Sequence, residues 1–342
     1  MLFAGRASRE LANEVARHLG IECGSVDIRD FANGEIYARY GESVRGTDAF
    51  VIQTHSAPVN ERIMEQLIMI DALKRASAKR ISAVIPYYGY SRQDKKGRGR
   101  EPISAKLVAD MLDTAGADRL ITMDLHSGQI QGFFDGPVDH LTAMPVLADH
   151  IRASCESRDL VVVAPDAGRV KTAEKMAGVL GAPLAFLHKR RSRTEAHKIE
   201  VREVVGEVDG RVCVLIDDMI DTASTIVQGA EVLMANGAER VTAAATHGIF
   251  SGPAIDRLKN APIAEVVVTN TLPLGPDQKL DKMRVLSVAG IVADAIRAVF
   301  EDAIRMRDVV RGGFALLDGD VDNLVRPGAI ACRVDVRGAG LH

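Results

Sequence analysis

Short, almost continuously apolar runs alternate with amphipathic stretches along most of the chain. The runs have the length and β-branched content of strands covered on both faces, as in parallel sheets, and lie at 48–54, 81–87, 119–125, 160–165, 212–217, 241–247 and 265–271. Apolar residues at helical spacing predict helices at 60–76, 103–115, 171–180 and 223–236, the last of which ends near Gly237. This alternation predicts an α/β fold of two similar domains, each a mostly parallel sheet flanked by helices.

No linker rich in Gly, Pro or Ser separates the two domains. We place the boundary between them after residue 144, so that 1–144 forms the N-terminal domain and 145–284 the C-terminal domain. From residue 303 to 342 the alternation is lost and Gly and Arg are frequent. We therefore expect an atypical tail there.

Composition narrows the class of protein. The chain has 342 residues, of which 47% are hydrophobic and 26% charged, and a net charge of -3. These values indicate a globular protein and give no argument for a nucleic-acid or membrane partner. No apolar run is long enough to span a bilayer, and the first residues lack the pattern of a secretory signal. The four cysteines are far apart in the sequence, as expected of reduced thiols, so we expect a cytoplasmic protein.

One predicted strand ends on paired acids. The run VCVLID (212–217) leads into Asp218 and Asp221, and the hydroxyl-rich turn TAST (222–225) opens the next helix. Ligands gather at the carboxyl ends of strands in open α/β sheets, and a helix N-terminus suits a phosphate. Adjacent carboxylates accept hydrogen bonds from vicinal sugar hydroxyls. The combination favours a ribose phosphate site, and the alternative is an ordinary helix N-cap.

A basic segment, YGYSRQDKKGRGREPISAK (88–106), follows another strand. Its cations are either a solvated loop or part of a nucleotide site, in which the nearby tyrosines approach the base and the cations approach the phosphates. Neither GxxxxGK[ST] nor GxGxxG occurs in the chain. A nucleotide therefore cannot be held in P-loop or Rossmann geometry.

Polar groups follow three more strands. Asp124 and His126 lie in DLHSG, Asp166 precedes a helix, and LHKRRS (187–192) places three adjacent cations after a strand, in what we interpret as a mobile polar segment. A lone histidine or a run of charges is more often structural. At the ligand-binding edge of a sheet, the same residues suit a metal or phosphate site, and cations on a closing loop suit phosphoryl transfer.

In this order, the stretches closely resemble the class I ribose-phosphate pyrophosphokinase family, whose domains have the type I phosphoribosyltransferase fold. The resemblance covers about residues 2–302 and is carried by LFAGRAS, FANGE, SVRG, RQDKK, DLHSGQIQGFF, PDAG, HKRR, DDMIDT and THGIFSGPA. It implies transfer of the β,γ-diphosphoryl group of ATP to the 1-hydroxyl of ribose 5-phosphate, giving phosphoribosyl pyrophosphate and AMP for nucleotide biosynthesis. A phosphoribosyltransferase would share only the DDMIDT-type loop and would leave HKRR and RQDKK unexplained.

The resemblance also implies roles for individual residues. It implies that the catalytic cations are Lys189 and Arg191. The ATP-binding residues it implies are Phe31, Asn33, Glu35, Arg92, Gln93 and Asp94. The ribose 5-phosphate-binding residues it implies are Asp217, Asp218, Asp221, Thr222, Ala223, Ser224 and Thr225. The Mg²⁺-binding positions it implies are His126 and Asp166. An allosteric site, where inorganic phosphate activates and ADP inhibits, would include Ser43 and Arg45.

Three further expectations come from the resemblance. The chain should form a homo-oligomer, a hexamer built from dimers, and residues 285–302 should return to the N-terminal domain. Ala223 and Ser224 replace a Gly pair common in the family's phosphate loop, and Ala would cost about 1 kcal/mol if the loop needs a positive φ there.

After residue 302 the family's Ser-containing allosteric stretch is replaced by AIRMRDVVRGG, which predicts weakened ADP inhibition and altered phosphate activation. A non-catalytic regulatory subunit is the remaining alternative. Such a subunit should have lost the loop cations or the histidine that this chain keeps.

Overall fold

The computed structural model describes residues 1–155, 159–191 and 200–300, apart from the side chains of residues 189–191 and 200–202. Its strands are β1 (Leu2–Ala4), β2 (Val26–Asp30), β3 (Ile36–Tyr40), β4 (Asp48–Ile52), β5 (Arg80–Ile85), β6 (Arg119–Met123), β7 (Val138–Leu141), β8 (Leu160–Ala164), β9 (Leu184–Arg191), β10 (Glu200–Val205), β11 (Val212–Ile220), β12 (Arg240–Gly248), β13 (Glu265–Thr269) and β14 (Met283–Leu286). Its helices are α1 (Arg9–Leu19), α2 (Val59–Arg75), α3 (Ser104–Ala115), α4 (Met144–Ser154), α5 (Val170–Leu180), α6 (Ser224–Ala235), α7 (Ala254–Asn260) and α8 (Ala289–Phe300). The predicted tail, 303–342, lies outside the described residues.

Two main sheets organise the described chain. The first has the order β1-β4-β5-β6-β7 and is parallel throughout. The second has the order β10-β9-β8-β11-β12-β13-β14 and is parallel except for the antiparallel pair β9–β10. A separate hairpin is formed by β2 and β3. The predicted α/β class with two mostly parallel sheets is confirmed.

Every strand and helix predicted from the apolar pattern is present, with boundaries shifted by a few residues. The pattern missed short or exposed strands such as β1, the β2–β3 hairpin and β7. It also missed the helices α1 and α8, although both have buried apolar faces. Among the described residues, no helix is both long enough and apolar enough to cross a bilayer.

The predicted end of β11 at residue 217 is wrong, because the strand continues to Ile220. Its neighbour β12 is equally long, and the two remain in register as far as Ile220 and Gly248. Met219 and Ile220 are buried, which explains why the strand continues past the acids. Asp217 and Asp218 therefore lie within the strand and not at its end.

The predicted position of HKRR after a strand is also wrong. Residues 189–191 belong to β9, which pairs with β10 from Arg191 opposite Glu200 to Phe186 opposite Val205. The pattern missed this pairing because β10 lies at the edge of the sheet, where charged residues are tolerated on a strand.

Helix α6 covers the sheet beside β11. Ile226, Ala230 and Leu233 are buried in the core that β11 and β12 share. The helix ends as predicted, with Gly237 at a φ of 86° and its N–H donating to the Met234 carbonyl at 3.1 Å. A Cβ at Gly237 would lie 2.0 Å from Asp209 Oδ1, so the turn requires glycine. This packing holds α6 against the sheet.

Helix α8 returns to the first sheet after β14. Its residues Val292 and Ile296 share an apolar core with Leu2, Leu11 and Val15. In contrast, β14 pairs with β13 and so belongs to the second sheet through Leu286. The exact domain boundaries remain a prediction.

The two sheets also contact each other directly. Thr54, which follows β4, donates its hydroxyl to the Thr271 carbonyl at 2.7 Å. His247 on β12 is fully buried, with Nε2 3.1 Å from the Met123 carbonyl oxygen of β6. The loops at the carboxyl ends of both sheets are thereby held against each other.

Candidate active site

One guanidinium holds the acid pair of β11. Arg169 Nε lies 2.9 Å from Asp217 Oδ1, and Arg169 Nη2 lies 2.9 Å from Asp218 Oδ1. The Asp218 N–H also donates to Asp217 Oδ1 at 2.8 Å. All three side chains are at most 15% exposed. Two poorly solvated carboxylates are therefore partly neutralised by one poorly solvated cation.

His126 approaches the same cluster from the end of β6. Its Nδ1 lies 2.8 Å from Asp218 Oδ2 and 2.8 Å from Arg169 Nη2. A protonated Nδ1 donates to the carboxylate, whereas an unprotonated Nδ1 accepts from the guanidinium, so only one contact is a hydrogen bond in a neutral tautomer. Asp124 fixes this loop by accepting from the Ala143 N–H at 2.8 Å and from the Thr246 hydroxyl at 2.6 Å.

The two acids have opposite electrostatic environments. Burial, followed by the proximity of Asp218, raises the pKa of Asp217. Burial also disfavours ionisation of Asp218, but the hydrogen bond from His126 and the charge of Arg169 prevail and lower its pKa. Asp218 is therefore the more permanent negative charge of the pair.

The turn after β11 leads into the N-terminus of α6. Ala223 has a φ of 60° and a ψ of 2°, in the left-handed region, and no side chain caps the helix that starts at Ser224. The loop is held from outside by Arg257, which donates to the Thr222 carbonyl at 2.9 Å. The uncapped N–H groups of α6 are thus available to an anion.

A cavity of about 240 Å³ joins these features. It is lined by Arg92, His126, Asp166, Arg169 and residues 217–226. Arg92 comes from the basic segment after β5, and its Nη1 donates to Asp221 Oδ2 at 2.6 Å. Loops from both sheets therefore meet at a cavity that combines acids, cations and a helix N-terminus.

Known families match both halves of the chain. Residues 1–116 match a family model described as the N-terminal domain of ribose phosphate pyrophosphokinase, and residues 194–310 match a phosphoribosyl synthetase-associated domain. A ribose-phosphate pyrophosphokinase of Streptomyces coelicolor is 60% identical over 302 residues, which cover 88% of this chain and 93% of that protein. The chain belongs to the ribose-phosphate pyrophosphokinase family.

Other relatives agree with this assignment. The ribose-phosphate pyrophosphokinase of Mycobacterium tuberculosis H37Rv is 58% identical over 303 residues, which cover 88% of this chain and 93% of the relative. The crystal structure of phosphoribosylpyrophosphate synthetase from Mycobacterium smegmatis is 56% identical. It covers 88% of this chain and 99% of its own, with a TM-score of 0.84. The predicted family and its phosphoribosyltransferase-type fold are confirmed.

In this family member, the three residues of the RQD motif are placed differently. Arg92 lines the cavity. Gln93 accepts a hydrogen bond from the Ser104 hydroxyl at 2.6 Å, and the buried Asp94 accepts one from Gln129 Nε2 at 2.6 Å. Gln93 and Asp94 thus tie the segment to its surroundings, while Arg92 projects from it.

The predicted adenine-binding residues lie elsewhere. Phe31, Asn33 and Glu35 form the exposed turn between β2 and β3 and do not line the cavity. The turn is ordered locally, because the Glu35 N–H donates to Asn33 Oδ1 at 3.2 Å and the Phe31 N–H to the Glu35 carbonyl at 2.7 Å. The predicted allosteric residues Ser43 and Arg45 are also exposed, on either side of the buried Val44.

The residues predicted to bind Mg²⁺ suit a metal that takes most of its ligands from substrate. His126 and Asp166 line the same cavity. Nδ1 of His126 is engaged, which leaves Nε2 for a ligand, and Asp166 Oδ1 accepts from the Gly168 N–H at 2.9 Å. In the described part of the chain, no group of three or more His, Cys, Asp or Glu side chains could hold a metal ion. Phosphate and water oxygens would have to complete the coordination.

The predicted catalytic cations, Lys189 and Arg191, have side chains outside the described residues. Their backbone lies in β9, paired with β10. Their catalytic role therefore remains a prediction.

Sequence reasoning missed Arg169. The residue directly follows the PDAG stretch, in a short 3-10 turn before α5. A cation at the carboxyl end of β8, next to the strand that carries the acids, was the available signal. The sequence analysis assigned a role only to Asp166, the aspartate of this stretch.

Proposed function

We propose that the chain catalyses the reaction of its family, transfer of the β,γ-diphosphoryl group of ATP to the 1-hydroxyl of ribose 5-phosphate. One observation supports the site most strongly. The acid pair, the uncapped N-terminus of α6 and Arg92 face one cavity between the two sheets. An acid pair suits the sugar hydroxyls, a helix N-terminus suits a phosphate, and Arg92 adds positive charge for the nucleotide.

The sugar is expected to bind in one orientation. Its 5-phosphate would accept hydrogen bonds from the first turn of α6 and from the hydroxyls of Thr222, Ser224 and Thr225. Its 2- and 3-hydroxyls would donate to Asp217 and Asp218. This places the 1-hydroxyl towards Arg92 and His126, where the nucleotide phosphates would lie. Positioning of this kind is the main catalytic device in phosphoryl transfer.

Charge neutralisation completes the proposed mechanism. The 1-hydroxyl oxygen attacks the β-phosphorus and loses its proton to solvent, the bond between the β-phosphorus and the α-phosphate oxygen breaks, and AMP leaves. Lys189 and Arg191 would stabilise the negative charge of the transferring group. Mg²⁺ held by His126 and Asp166 would neutralise phosphate charge when bound. Phe31, Asn33 and Glu35 would bind the adenine, with Arg92, Gln93 and Asp94 on the nucleotide's other side.

The assembly proposed is a homohexamer built from dimers. The exposed β2–β3 turn supports an oligomer, because within one chain it does not line the cavity that it is proposed to serve. A neighbouring copy could bring the turn to that cavity. Light scattering during gel filtration tests this, and a monomer with full activity would contradict it.

Sugar-dependent AMP formation tests the proposed function. Wild type should form AMP from ATP with Mg²⁺ and phosphate only when ribose 5-phosphate is added, and Lys189→Ala should lose nearly all of this activity. Lys259→Ala, which removes an exposed lysine on α7, is the matched control. Folded wild-type protein without sugar-dependent AMP would instead indicate a regulatory subunit.

The regulatory proposal concerns Ser43, Arg45 and the altered sequence after residue 302. We expect an altered response to phosphate activation, and we expect ADP to inhibit only weakly and to compete with ATP. Initial rates at several fixed ATP concentrations test this. Strong inhibition that ATP does not overcome would contradict it.

A further inference from the structure

Arg169 is placed where none of the proposed substrate or metal roles requires a cation. It lies between two acids that would bind sugar hydroxyls and a histidine that would bind metal. Its side chain is 15% exposed, so its charge is weakly screened by solvent. Arginine also remains charged at any working pH.

The backbone holds Arg169 firmly in this position. The Arg169 N–H donates to the Asp166 carbonyl at 3.2 Å, and the Gly168 N–H donates to the Asp166 side chain. Helix α5 begins at the next residue. The guanidinium is thus presented from a fixed turn and not from a freely moving loop.

The carboxylate oxygens of the acid pair face the cation of Arg169 and the ring of His126, and they also have lone pairs for the sugar. Arg169 forms ion pairs with Oδ1 of Asp217 and Oδ1 of Asp218, and His126 faces Oδ2 of Asp218. Asp218 Oδ1 has no hydrogen-bond partner within the described part of the chain. Each carboxylate oxygen has two lone pairs, so sugar hydroxyls can still donate to the pair. A divalent cation, in contrast, would have to approach a fixed positive charge at the same two carboxylates.

Adjacent acids in a poorly solvated site are good ligands for divalent cations. An enzyme that works with Mg²⁺-bound phosphates therefore risks binding metal where the sugar hydroxyls should bind. We propose that Arg169 is a positioning residue that reserves the acid pair for the sugar, acting as its built-in counter-cation and keeping divalent metal ions off the two carboxylates. The inference rests on the proposed function, since it assumes that the acids bind the sugar.

Metal binding without turnover tests this inference. Mn²⁺ replaces Mg²⁺, and electron paramagnetic resonance counts the ions bound to protein free of sugar and nucleotide. Arg169→Met should bind one more Mn²⁺ than wild type, or bind it at least about tenfold more tightly, as expected when a neighbouring positive charge is removed. Ribose 5-phosphate should displace that ion.

Two variants complete the comparison. Arg169→Lys keeps the charge and should bind Mn²⁺ as wild type does. Arg75→Met removes an exposed arginine of a surface ion pair on α2 and should leave Mn²⁺ binding unchanged. Unaltered Mn²⁺ binding in folded Arg169→Met, or an added ion that the sugar does not displace, would overturn the inference.

Steady-state kinetics give a second test, and ribose 5-phosphate binding to wild type gives a third. In Arg169→Met the KM for ribose 5-phosphate should rise with Mg²⁺ concentration while the KM for ATP does not. If Arg169→Met fails to fold, calorimetric titration of ribose 5-phosphate into wild type tests the inference. An affinity for ribose 5-phosphate that does not depend on Mn²⁺ supports it. An affinity that falls as Mn²⁺ is added overturns it. Since these binding measurements need no turnover, an inactive wild type would refute the proposed function and leave this test intact.

Discussion

The two halves of the proposed substrate site differ in how far a single chain completes them. On the sugar side, the acids are buried, share one guanidinium and lie next to the start of α6. On the nucleotide side, Arg92 is 52% exposed and Phe31 is 51% exposed, in separate loops. The groups of the sugar side are already in contact without substrate. On the nucleotide side, Arg92 lines the cavity, whereas Phe31 does not.

The difference has a physical cause. Two adjacent carboxylates cannot both be buried in ionised form without a counter-charge, and Arg169 supplies that charge from a fixed turn. An aromatic ring that stacks on a base has no such requirement and can remain exposed until the ligand or a second copy covers it. We therefore expect changes to the buried acids of the sugar side to affect both binding and stability, and changes to exposed nucleotide-side residues such as Phe31 to affect binding alone.

The largest effect should come from Asp218→Asn. Loss of this charge removes an acceptor for the sugar and leaves Arg169 with one acid, so kcat/KM for ribose 5-phosphate should fall at least about 100-fold. The KM for ATP should change little. Asp256→Asn, on the exposed face of α7, is the control. Equal losses for both substrates would show that the two halves are not separate.

Phe31→Ala should act on the other half alone. Loss of a stacking ring should raise the KM for ATP about tenfold, the effect expected of one aromatic–base contact. Because Phe31 is half exposed, the melting temperature should not change. Val179→Ala, at a similarly exposed apolar position on α5, should alter neither value. A raised KM for ribose 5-phosphate in Phe31→Ala would contradict the assignment of Phe31 to the nucleotide side.

The nucleotide side also has a buried support, His55, which makes stability depend on pH. Its Nδ1 accepts from the Gly89 N–H at 3.0 Å, and its Nε2 donates to Gln66 Oε1 at 2.9 Å, so the ring is neutral in the folded state. Burial lowers the pKa of His55 to about 4. The unfolded chain takes up the proton first, near pH 6.5, so stability is full above that pH and declines as pH falls towards 4.

This decline should reach at most about 1.4 kcal/mol per pH unit for the one proton involved. His55→Asn keeps an acceptor for the Gly89 N–H and should remove this part of the pH dependence. Urea unfolding at pH 7, 6, 5 and 4 measures it. Parallel pH profiles for wild type and variant would contradict the assignment to His55.

The smallest effect concerns Ala223. Its φ of 60° is unfavourable for a residue with a Cβ, so Ala223→Gly should stabilise the protein by about 0.5–1 kcal/mol in urea unfolding. Ala72→Gly, in the last turn of α2, should have the opposite sign and cost up to about 1 kcal/mol. Destabilisation at both positions would mean that the alanine methyl group contributes packing that outweighs the strain.

Much of this site follows from local sequence. Buried strands, the glycine that ends α6 and acids beside a helix N-terminus all depend on neighbouring residues, and the pattern predicted them. The sequence also identified Ala223 as the residue that a positive φ would strain, and the structure shows that φ. The family's motifs added the roles that local pattern cannot supply.

The rest depends on contacts between distant residues. Arg169 and Asp218 are 49 residues apart in sequence. The stretch around Arg169 shows a cation at the carboxyl end of a strand, but it does not show which acids that cation pairs with. The pairing of β9 with β10 was missed because an edge strand can carry charges without an apolar pattern. Strand β11 continues past the acids because it pairs with β12 as far as Ile220. The local stretch DDMI gives no information about that distant strand.

Phosphorus-31 NMR of the reaction products tests the central claim most directly. With ATP, Mg²⁺ and ribose 5-phosphate, the account predicts equal amounts of AMP and of a sugar carrying a 1-diphosphate. Both products should form at least about 100-fold more slowly when Asp218 is changed to Asn. ADP together with a sugar monophosphate ester, or no change in the sugar resonances, would contradict it.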